Sequence, residues 1–148
     1  MKKVFILISL WLMVGCVSMA PMPSIDDFEI TTLNRIEANS SCGLIYFYRP
    51  SHIIGRGTNY FIHDGNDIIG ASRDGSYFSY CAPPGQHLFW GETDTKKSIS
   101  LNVEASAVYY IEAIVIFGGM IGIPDFNLVP QEIGARAVRS LDYVTLRK

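Results

Sequence analysis

One carboxylate interrupts an otherwise apolar segment and is the side chain best placed for acid chemistry. Glu112 lies between Ile111 and Ala113, and burial of a carboxyl group raises its pKa toward values that suit a general acid. Such a residue more commonly lies on the solvent face of a sheet or pairs with a cation such as Arg49. A small hydrolase-like or ligand-binding site around Glu112 and Arg49 is therefore one hypothesis.

The other residue types that carry chemistry do not form a recognisable constellation. His52, His63 and His87 are far apart in the chain and lack the close spacing of zinc ligands. No serine lies in a G-x-S-x-G elbow, and no serine or cysteine has a base in a motif context. The sequence therefore predicts no catalytic residue, no metal site and no cofactor, and it favours a protein that is not an enzyme.

The N-terminal residues 1–16 have the layout of a lipoprotein export signal. Lys2 and Lys3 precede an apolar stretch over residues 4–14, which is shorter than the roughly 20 residues that a membrane-spanning helix needs. Residues 12–16, Leu-Met-Val-Gly-Cys, resemble the lipobox that is cleaved before its cysteine. Cys16 is therefore predicted to carry acyl chains, and two or more chains give stable anchoring. An ordinary secretory signal is the alternative.

This pattern also predicts where the protein is located. The residue after Cys16 is Val17 rather than aspartate, which is typical of lipoproteins that are sorted to the outer membrane. We therefore expect a lipid-anchored protein of the bacterial cell envelope, in the outer membrane and facing the periplasm.

The same pattern divides the chain into a signal peptide (residues 1–15), a lipid-anchored tether (16–41) and a β domain (42–148). Removal of the signal leaves ten basic and fourteen acidic residues, a net charge of −4. Nucleic-acid-binding proteins usually carry a basic patch, and the sequence shows none. We therefore expect no nucleic-acid partner.

Cys42 and Cys81 are the two cysteines that remain for a structural role. The first lies at the start of the first predicted strand of the β domain, and the second lies at the end of the fourth. An exported protein folds in an oxidising compartment, where a disulfide persists. We expect a bond between Cys42 and Cys81, and two buried free thiols are the alternative.

Hydrophobic periodicity and turn signals predict an all-β domain. The clearest strand covers residues 98–104, in which Ile99, Leu101 and Val103 alternate with polar residues. Further strands are predicted over residues 43–49, 59–63, 68–71, 76–81, 86–91, 108–117 and 127–129, and a helix over residues 130–141. These seven or eight strands indicate an antiparallel β-sandwich or a partly closed barrel with a short C-terminal helix.

Residues 113–124 are apolar and rich in glycine. A transmembrane helix here would have to include Glu112 and tolerate the glycines, so we prefer a strand that runs into a flexible hydrophobic loop. An exposed apolar loop needs a partner or a membrane, unless it folds over the end of the sandwich. Phe117, Met120 and Ile121 are therefore the predicted contact residues.

Tyrosine is frequent in the predicted strands, and Trp90 lies in one of them. If half of these aromatic side chains lie on one outer face, they form a surface for a glycan or a protein. The alternative, which we favour, is that they fill the core of a small sandwich and keep their hydroxyl groups at its rim.

The order of several short motifs resembles a family of bacterial envelope proteins, domain of unknown function 2846. In chain order the motifs cover residues 46–50 (Tyr-Phe-Tyr-Arg-Pro), 64–65, 69–70, 75–78, 84–87 (Pro-Gly-Gln-His), 108–111 (Val-Tyr-Tyr-Ile) and 132–135 (Glu-Ile-Gly-Ala). The resemblance implies a lipoprotein or exported protein with a prealbumin-like or immunoglobulin-like β-sandwich. The family brings no agreed activity and no catalytic residues.

Together these predictions favour a lipid-anchored envelope protein that acts as a non-enzymatic binding or accessory module. Its expected partners are the membrane, through the anchor, and an envelope protein or a glycan. A structural subunit of an envelope complex is a further hypothesis.

Overall fold

The computed structural model describes residues 23–25, 28–30 and 41–146. The predicted signal peptide, Cys16 and most of the predicted tether lie outside these described residues. Within the described ranges, no helix has the length and apolar character needed to cross a membrane.

The described chain forms ten strands and one helix. The strands are β1 (Phe28–Ile30), β2 (Gly43–Arg49), β3 (Tyr60–Asp64), β4 (Asp67–Ser72), β5 (Ser76–Ala82), β6 (Gly85–Glu92), β7 (Lys96–Val103), β8 (Val108–Gly118), β9 (Ile121–Val129) and β10 (Asp142–Leu146). The helix, α1 (Gln131–Val138), follows Pro130, whose fixed φ suits the residue before a helix.

The strands form two sheets that enclose a common core. One sheet has six strands in the order β1-β10-β5-β2-β8-β9, and the other has four in the order β4-β3-β6-β7. Neighbouring strands are antiparallel except for the pairs β2–β8 and β10–β5, which are parallel. The predicted all-β sandwich with a short C-terminal helix is therefore confirmed, although ten strands are described rather than seven or eight.

β1 and β10 come from segments that were not predicted to contain strands. β1 lies within the predicted tether and pairs with β10, with Phe28 opposite Leu146 and Ile30 opposite Val144. At least this part of the tether therefore belongs to the sheet.

The prediction for β9 is too short, because the strand begins at Ile121 rather than at residue 127. The first part of the strand was not predicted because it contains Gly122 and Pro124, and both residue types are rare inside strands. Proline lacks a backbone N–H group and is tolerated on an edge strand, and β9 is the edge of the six-stranded sheet.

Aromatic rings fill the space between the two sheets. The ring of Phe47 stacks on that of Phe78 with centroids 5.1 Å apart, and it meets the ring of Phe89 edge-on at 5.2 Å. Ile45 and Ile111 belong to the same core and have no exposed surface. Each such side chain contributes roughly 1.5–3 kcal/mol by leaving water.

α1 covers the outer face of the six-stranded sheet. Beneath it Tyr46 stacks on Tyr110 with ring centroids 4.9 Å apart, and Val138 packs on them. Gly134 permits this close approach, since a Cβ atom there would lie 2.2 Å from Cβ of Tyr110. The buried tyrosines are Tyr46, Tyr48, Tyr60 and Tyr110. Tyr60 lies in the core between the sheets, whereas the other three lie on the outer face of the six-stranded sheet, where α1 covers them. The core-filling interpretation therefore holds for Tyr60 and not for the tyrosines beneath α1.

Cys42 and Cys81 form a disulfide with their Cα atoms 5.5 Å apart. Cys42 directly precedes β2, and Cys81 lies near the end of β5, the antiparallel neighbour of β2. The bond therefore fixes one end of the two central strands. This prediction from the sequence is confirmed.

Candidate functional site

The hairpin formed by β8 and β9 extends beyond the end of β2. The last residue of β2 that pairs with β8 is Tyr48, which lies beside Glu112. β8 continues from there to Gly118, and among the described strands β9 alone pairs with it along this stretch. The hairpin therefore ends as a two-stranded ribbon.

The tip of this ribbon exposes apolar side chains. Met120 is 98 % exposed, Phe117 49 % and Ile121 40 %. Gly119, with a φ of 77°, and Met120 make the turn between the paired residues Gly118 and Ile121. The structure thus exposes all three predicted contact residues. The segment is not the flexible loop expected from the sequence, because β8 and β9 stay paired up to a turn of two residues.

The loop over residues 50–59, between β2 and β3, adds further exposed apolar side chains. Ile53 is 81 % exposed and Ile54 is 54 % exposed. The loop contacts the hairpin, since a Cβ atom on Gly55 would lie 3.1 Å from Cβ of Val115 in β8. We call the exposed apolar side chains of the loop and the hairpin the apolar end. It consists of Ile53, Ile54, Ile116, Phe117, Met120 and Ile121.

The buried side chain of Arg49 holds this loop in place. Its Nη1 atom donates a hydrogen bond to the carbonyl oxygen of Thr58 at 2.6 Å, and Nη2 donates to that of Gly55. Burial lowers the pKa of Arg49, while the charges of Tyr60 and Asp74 act in the opposite direction. The guanidinium group stays charged because its ordinary pKa lies far above neutral pH. Its role is therefore to bind backbone carbonyl groups of the loop.

Asp74 fixes the start of the same loop. The hydroxyl group of Ser51 donates to Oδ2 of Asp74 at 2.8 Å, the amide of His52 donates to Oδ1 at 2.9 Å, and Nε of Arg56 lies 3.3 Å from Oδ2. Burial would raise the pKa of Asp74, but these hydrogen bonds and the charges of Arg56 and Arg49 together lower it. An ionised carboxylate therefore anchors the loop at neutral pH.

Glu112 does not meet Arg49. Glu112 lies beside Tyr48 in the sheet, and Tyr48 belongs to the cluster beneath α1. Arg49 follows Tyr48 in the strand, and successive residues of a strand point to opposite faces. Burial, followed by the charge of Glu112, raises the pKa of Tyr48 to about 12. A site built around both Glu112 and Arg49 therefore has no geometric support among the described residues.

His87 belongs to a polar cluster at the other end of the sandwich. Its Nδ1 atom lies 2.6 Å from Oδ2 of Asp64, and its Nε2 atom lies 2.8 Å from the carbonyl oxygen of Pro83. The hydroxyl group of Tyr80 donates to the same oxygen of Asp64 at 3.2 Å. Both ring nitrogens of His87 are thus held by neighbouring oxygen atoms. This cluster joins the turn after β3 to the start of β6.

The Trp90 ring is engaged by two neighbouring side chains. The ring of His63 stacks on it with centroids 3.8 Å apart, and Nζ of Lys96 lies 3.5 Å from a ring centroid. Nε1 of Trp90 donates to the carbonyl oxygen of Gly65 at 2.7 Å. Burial lowers the pKa of His63, and the charge of Lys96 lowers it further. These contacts join Trp90 to β3 and β7.

Among the residues that the structure describes, no three or more His, Cys, Asp or Glu side chains are grouped in a way that could hold a metal ion. His52 and His63 lie on different elements, and each takes part in the local contacts described above.

Comparison with known proteins gives one informative similarity. A protein of Haemophilus influenzae described as uncharacterized is 24 % identical over 137 residues, which cover 92 % of this chain and 80 % of that protein. No family model matches the chain, and no solved structure matches it. The resemblance to domain of unknown function 2846 therefore stays a prediction from sequence motifs.

Proposed function

We propose that the protein is a lipid-anchored, non-enzymatic module of the bacterial cell envelope that makes contact through the apolar end. The exposure of Phe117, Met120 and Ile121 at the hairpin tip carries this proposal. Single exposed apolar residues are ordinary on protein surfaces, whereas a group of them marks a site of interaction.

Three observations support the location in the envelope. Residues 1–16 have the pattern of a lipoprotein signal that ends at Cys16. The disulfide between Cys42 and Cys81 suits a protein that folds in an oxidising compartment. The similar protein comes from a bacterium, Haemophilus influenzae. An outer-membrane anchor that faces the periplasm is the arrangement we propose.

The use of the titratable side chains supports a non-enzymatic role. Arg49 and Asp74 hold the loop over residues 50–59, and Asp64 and His87 join two turns. Each of these groups is engaged by neighbouring protein atoms that it helps to position. A catalytic site would instead place such groups around a space for the substrate.

Expression of the full chain in a Gram-negative bacterium tests the anchor. We expect mass spectrometry of the mature protein to find an acylated Cys16 as the first residue, and Cys16→Ser to abolish this modification. An unmodified peptide that spans Gly15 and Cys16 would contradict the proposal.

Photo-crosslinking in the same cells tests the contact. A photoreactive amino acid in place of Met120 is compared with one in place of Ser100, which is exposed on the four-stranded sheet. We expect adducts from position 120 that are absent from position 100. Equal adducts from both positions would show that the apolar end is not the contact site.

A further inference from the structure

We propose that the partner of the apolar end is a lipid bilayer, and that the hairpin tip inserts into the membrane surface that carries the lipid on Cys16. The proposal rests on the proposed function, because it requires the anchor at Cys16. Four features of the apolar end favour a bilayer over a protein as its occupant.

The first feature is the absence of polar side chains from the tip. From Ile116 to Pro124 no residue has a charged or hydrogen-bonding side chain. A protein interface carries about one hydrogen bond per 100–200 Å² and a polar rim. A lipid surface needs no such contacts and excludes unpaired polar groups, so this composition suits lipid.

The second feature is exposure on both faces of the ribbon. Ile116 and Phe117 are neighbours in β8, so their side chains point to opposite faces. Both are exposed, at 42 % and 49 %. A docked protein would cover one face of the ribbon, whereas surrounding lipid would cover both.

The third feature is the way backbone groups are paired. The ladder between β8 and β9 continues to Gly118 and Ile121, directly before the turn. A segment that enters an apolar phase must pair its own N–H and C=O groups, because lipid offers no partners for them. The ladder pairs the N–H and C=O groups that face the neighbouring strand, whereas those on the outer edges of the ribbon and in the turn need water or lipid headgroups. The ribbon therefore suits shallow insertion, with its apolar side chains at the acyl boundary and its backbone among the headgroups.

The fourth feature is a boundary of charged side chains at the base of the tip. Oγ1 of Thr93 donates to the carbonyl oxygen of Gly122 at 2.5 Å, so the turn between β6 and β7 lies against the hairpin. Glu92 and Asp94 are exposed beside Thr93, and Arg56 is exposed on the loop. Burial of these charges in lipid is costly, so they limit insertion to the tip.

The length of the N-terminal chain is consistent with simultaneous anchoring and insertion. Ile25 packs against the buried pair of Ala71 and Val144. Val144 follows Tyr143, the register partner of Tyr77 in β5, so it lies at the level of Phe78. The register of β5, β2 and β8 continues this row through Phe47 to Ile111. Ile25 therefore lies near the level of Ile111, in the middle of the sandwich.

The distance from this level to the tip is comparable with the reach of the anchor. Eight residues lead from Ile111 to Gly119, a rise of about 26 Å in a β-strand. Nine Cα–Cα steps lead from Ile25 to Cys16 and span at most about 30 Å. The acyl chains on Cys16 are thus able to lie in the same membrane surface as the hairpin tip.

Fluorescence quenching tests the proposal with the mature, full-length lipoprotein. The protein is purified in detergent and reconstituted into phosphatidylethanolamine–phosphatidylglycerol vesicles with brominated acyl chains, which quench tryptophan that enters the bilayer. Met120→Trp is compared with Leu88→Trp, because Leu88 is 48 % exposed on the four-stranded sheet and lies away from the tip. Trp90 gives the same background in both variants.

We expect Met120→Trp to show blue-shifted emission and at least about twofold stronger quenching than Leu88→Trp, as for a side chain at the acyl boundary. Equal quenching of the two variants in protein with an acylated Cys16 would overturn the lipid proposal alone. Adducts of a photoreactive residue 120 with a protein, and none with lipid, would also overturn it. Protein without acyl chains would instead contradict the anchor and, with it, this proposal. Mass spectrometry of the reconstituted sample separates these failures.

Discussion

Arg49 and Glu112 lie on opposite faces of the six-stranded sheet, although Tyr48, the residue before Arg49, is the register partner of Glu112. This arrangement separates two charges that, from the sequence, were candidates for a shared site. Arg49 binds the carbonyl oxygen of Thr58 on the inner side, and Glu112 lies on the side that α1 covers. The two charged side chains therefore do not form a common site.

The separation predicts independent effects on stability. Arg49→Met leaves the carbonyl groups of Gly55 and Thr58 without their donor, so we expect a loss of about 2–3 kcal/mol in the free energy of unfolding. Glu112→Gln keeps the shape of a half-buried side chain, and we expect a change of about 0.5 kcal/mol or less. Urea unfolding of the two single variants and the double variant measures these changes.

The double variant provides the control. For residues that share no partner, the two losses should add to within about 0.5 kcal/mol. A coupling energy well above this value would show that the two side chains interact, and it would restore the hypothesis of a common site.

The disulfide makes a second prediction. Cys42 and Cys81 are 39 residues apart in the chain, and closure of a loop of that length stabilises a fold by about 4 kcal/mol in the chain-entropy model. We expect the Cys42→Ser/Cys81→Ser variant to lose approximately this amount in urea unfolding under oxidising conditions. The wild-type protein in a strong thiol reductant serves as the matched control. A loss below about 1 kcal/mol in both samples would show that the strand pairing of β2 with β5 needs no such restraint.

The sequence identified features that depend on local chemistry. β7 shows the period of two expected of a strand with one wet face, because Leu101 and Val103 are buried while Ser100 and Asn102 are exposed. The exposed tip at Met120 follows from an apolar stretch without polar side chains.

The orientation of Arg49 was not predictable, because every residue of β2 is buried. One face of β2 packs between the sheets and the other packs under α1, so hydrophobicity does not alternate along the strand. Without alternation the sequence does not show which residues face inward. The anchoring of the loop by Arg49 and Asp74 was not predictable either, because these contacts join residues that only the tertiary structure brings together.

The loop that Arg49 and Asp74 hold should depend on pH. The pKa of Asp74 in the folded protein lies below the usual 3.8, so the unfolded chain binds a proton more readily than the folded one. Asp74 therefore contributes stability above its unfolded pKa, and this contribution is lost as the pH falls through the folded pKa. Urea unfolding at neutral pH and at about pH 3 measures the effect.

Asp74→Asn removes the charge at every pH and serves as the reference. We expect the difference in stability between wild type and Asp74→Asn to be largest near neutral pH and to decrease in acid. Limited proteolysis at the exposed Ile53 and Ile54 should report the same change locally. A difference in stability that stays constant from neutral pH into acid would contradict an anchoring role for the ionised carboxylate.

The contact between Gly134 and Tyr110 gives the last prediction. Alanine is more favourable than glycine in a helix by about 1 kcal/mol, so helix propensity alone predicts that Gly134→Ala stabilises the protein. The structure predicts the opposite, because the added Cβ atom would lie 2.2 Å from Cβ and Cγ of Tyr110. α1 would have to move away from the sheet, and we expect a net loss of about 1–3 kcal/mol in urea unfolding. Arg136→Ala, at an exposed position of the same helix, should change stability by no more than about 0.5 kcal/mol. A stabilised Gly134→Ala variant would show that the packing of α1 on Tyr110 is looser than described.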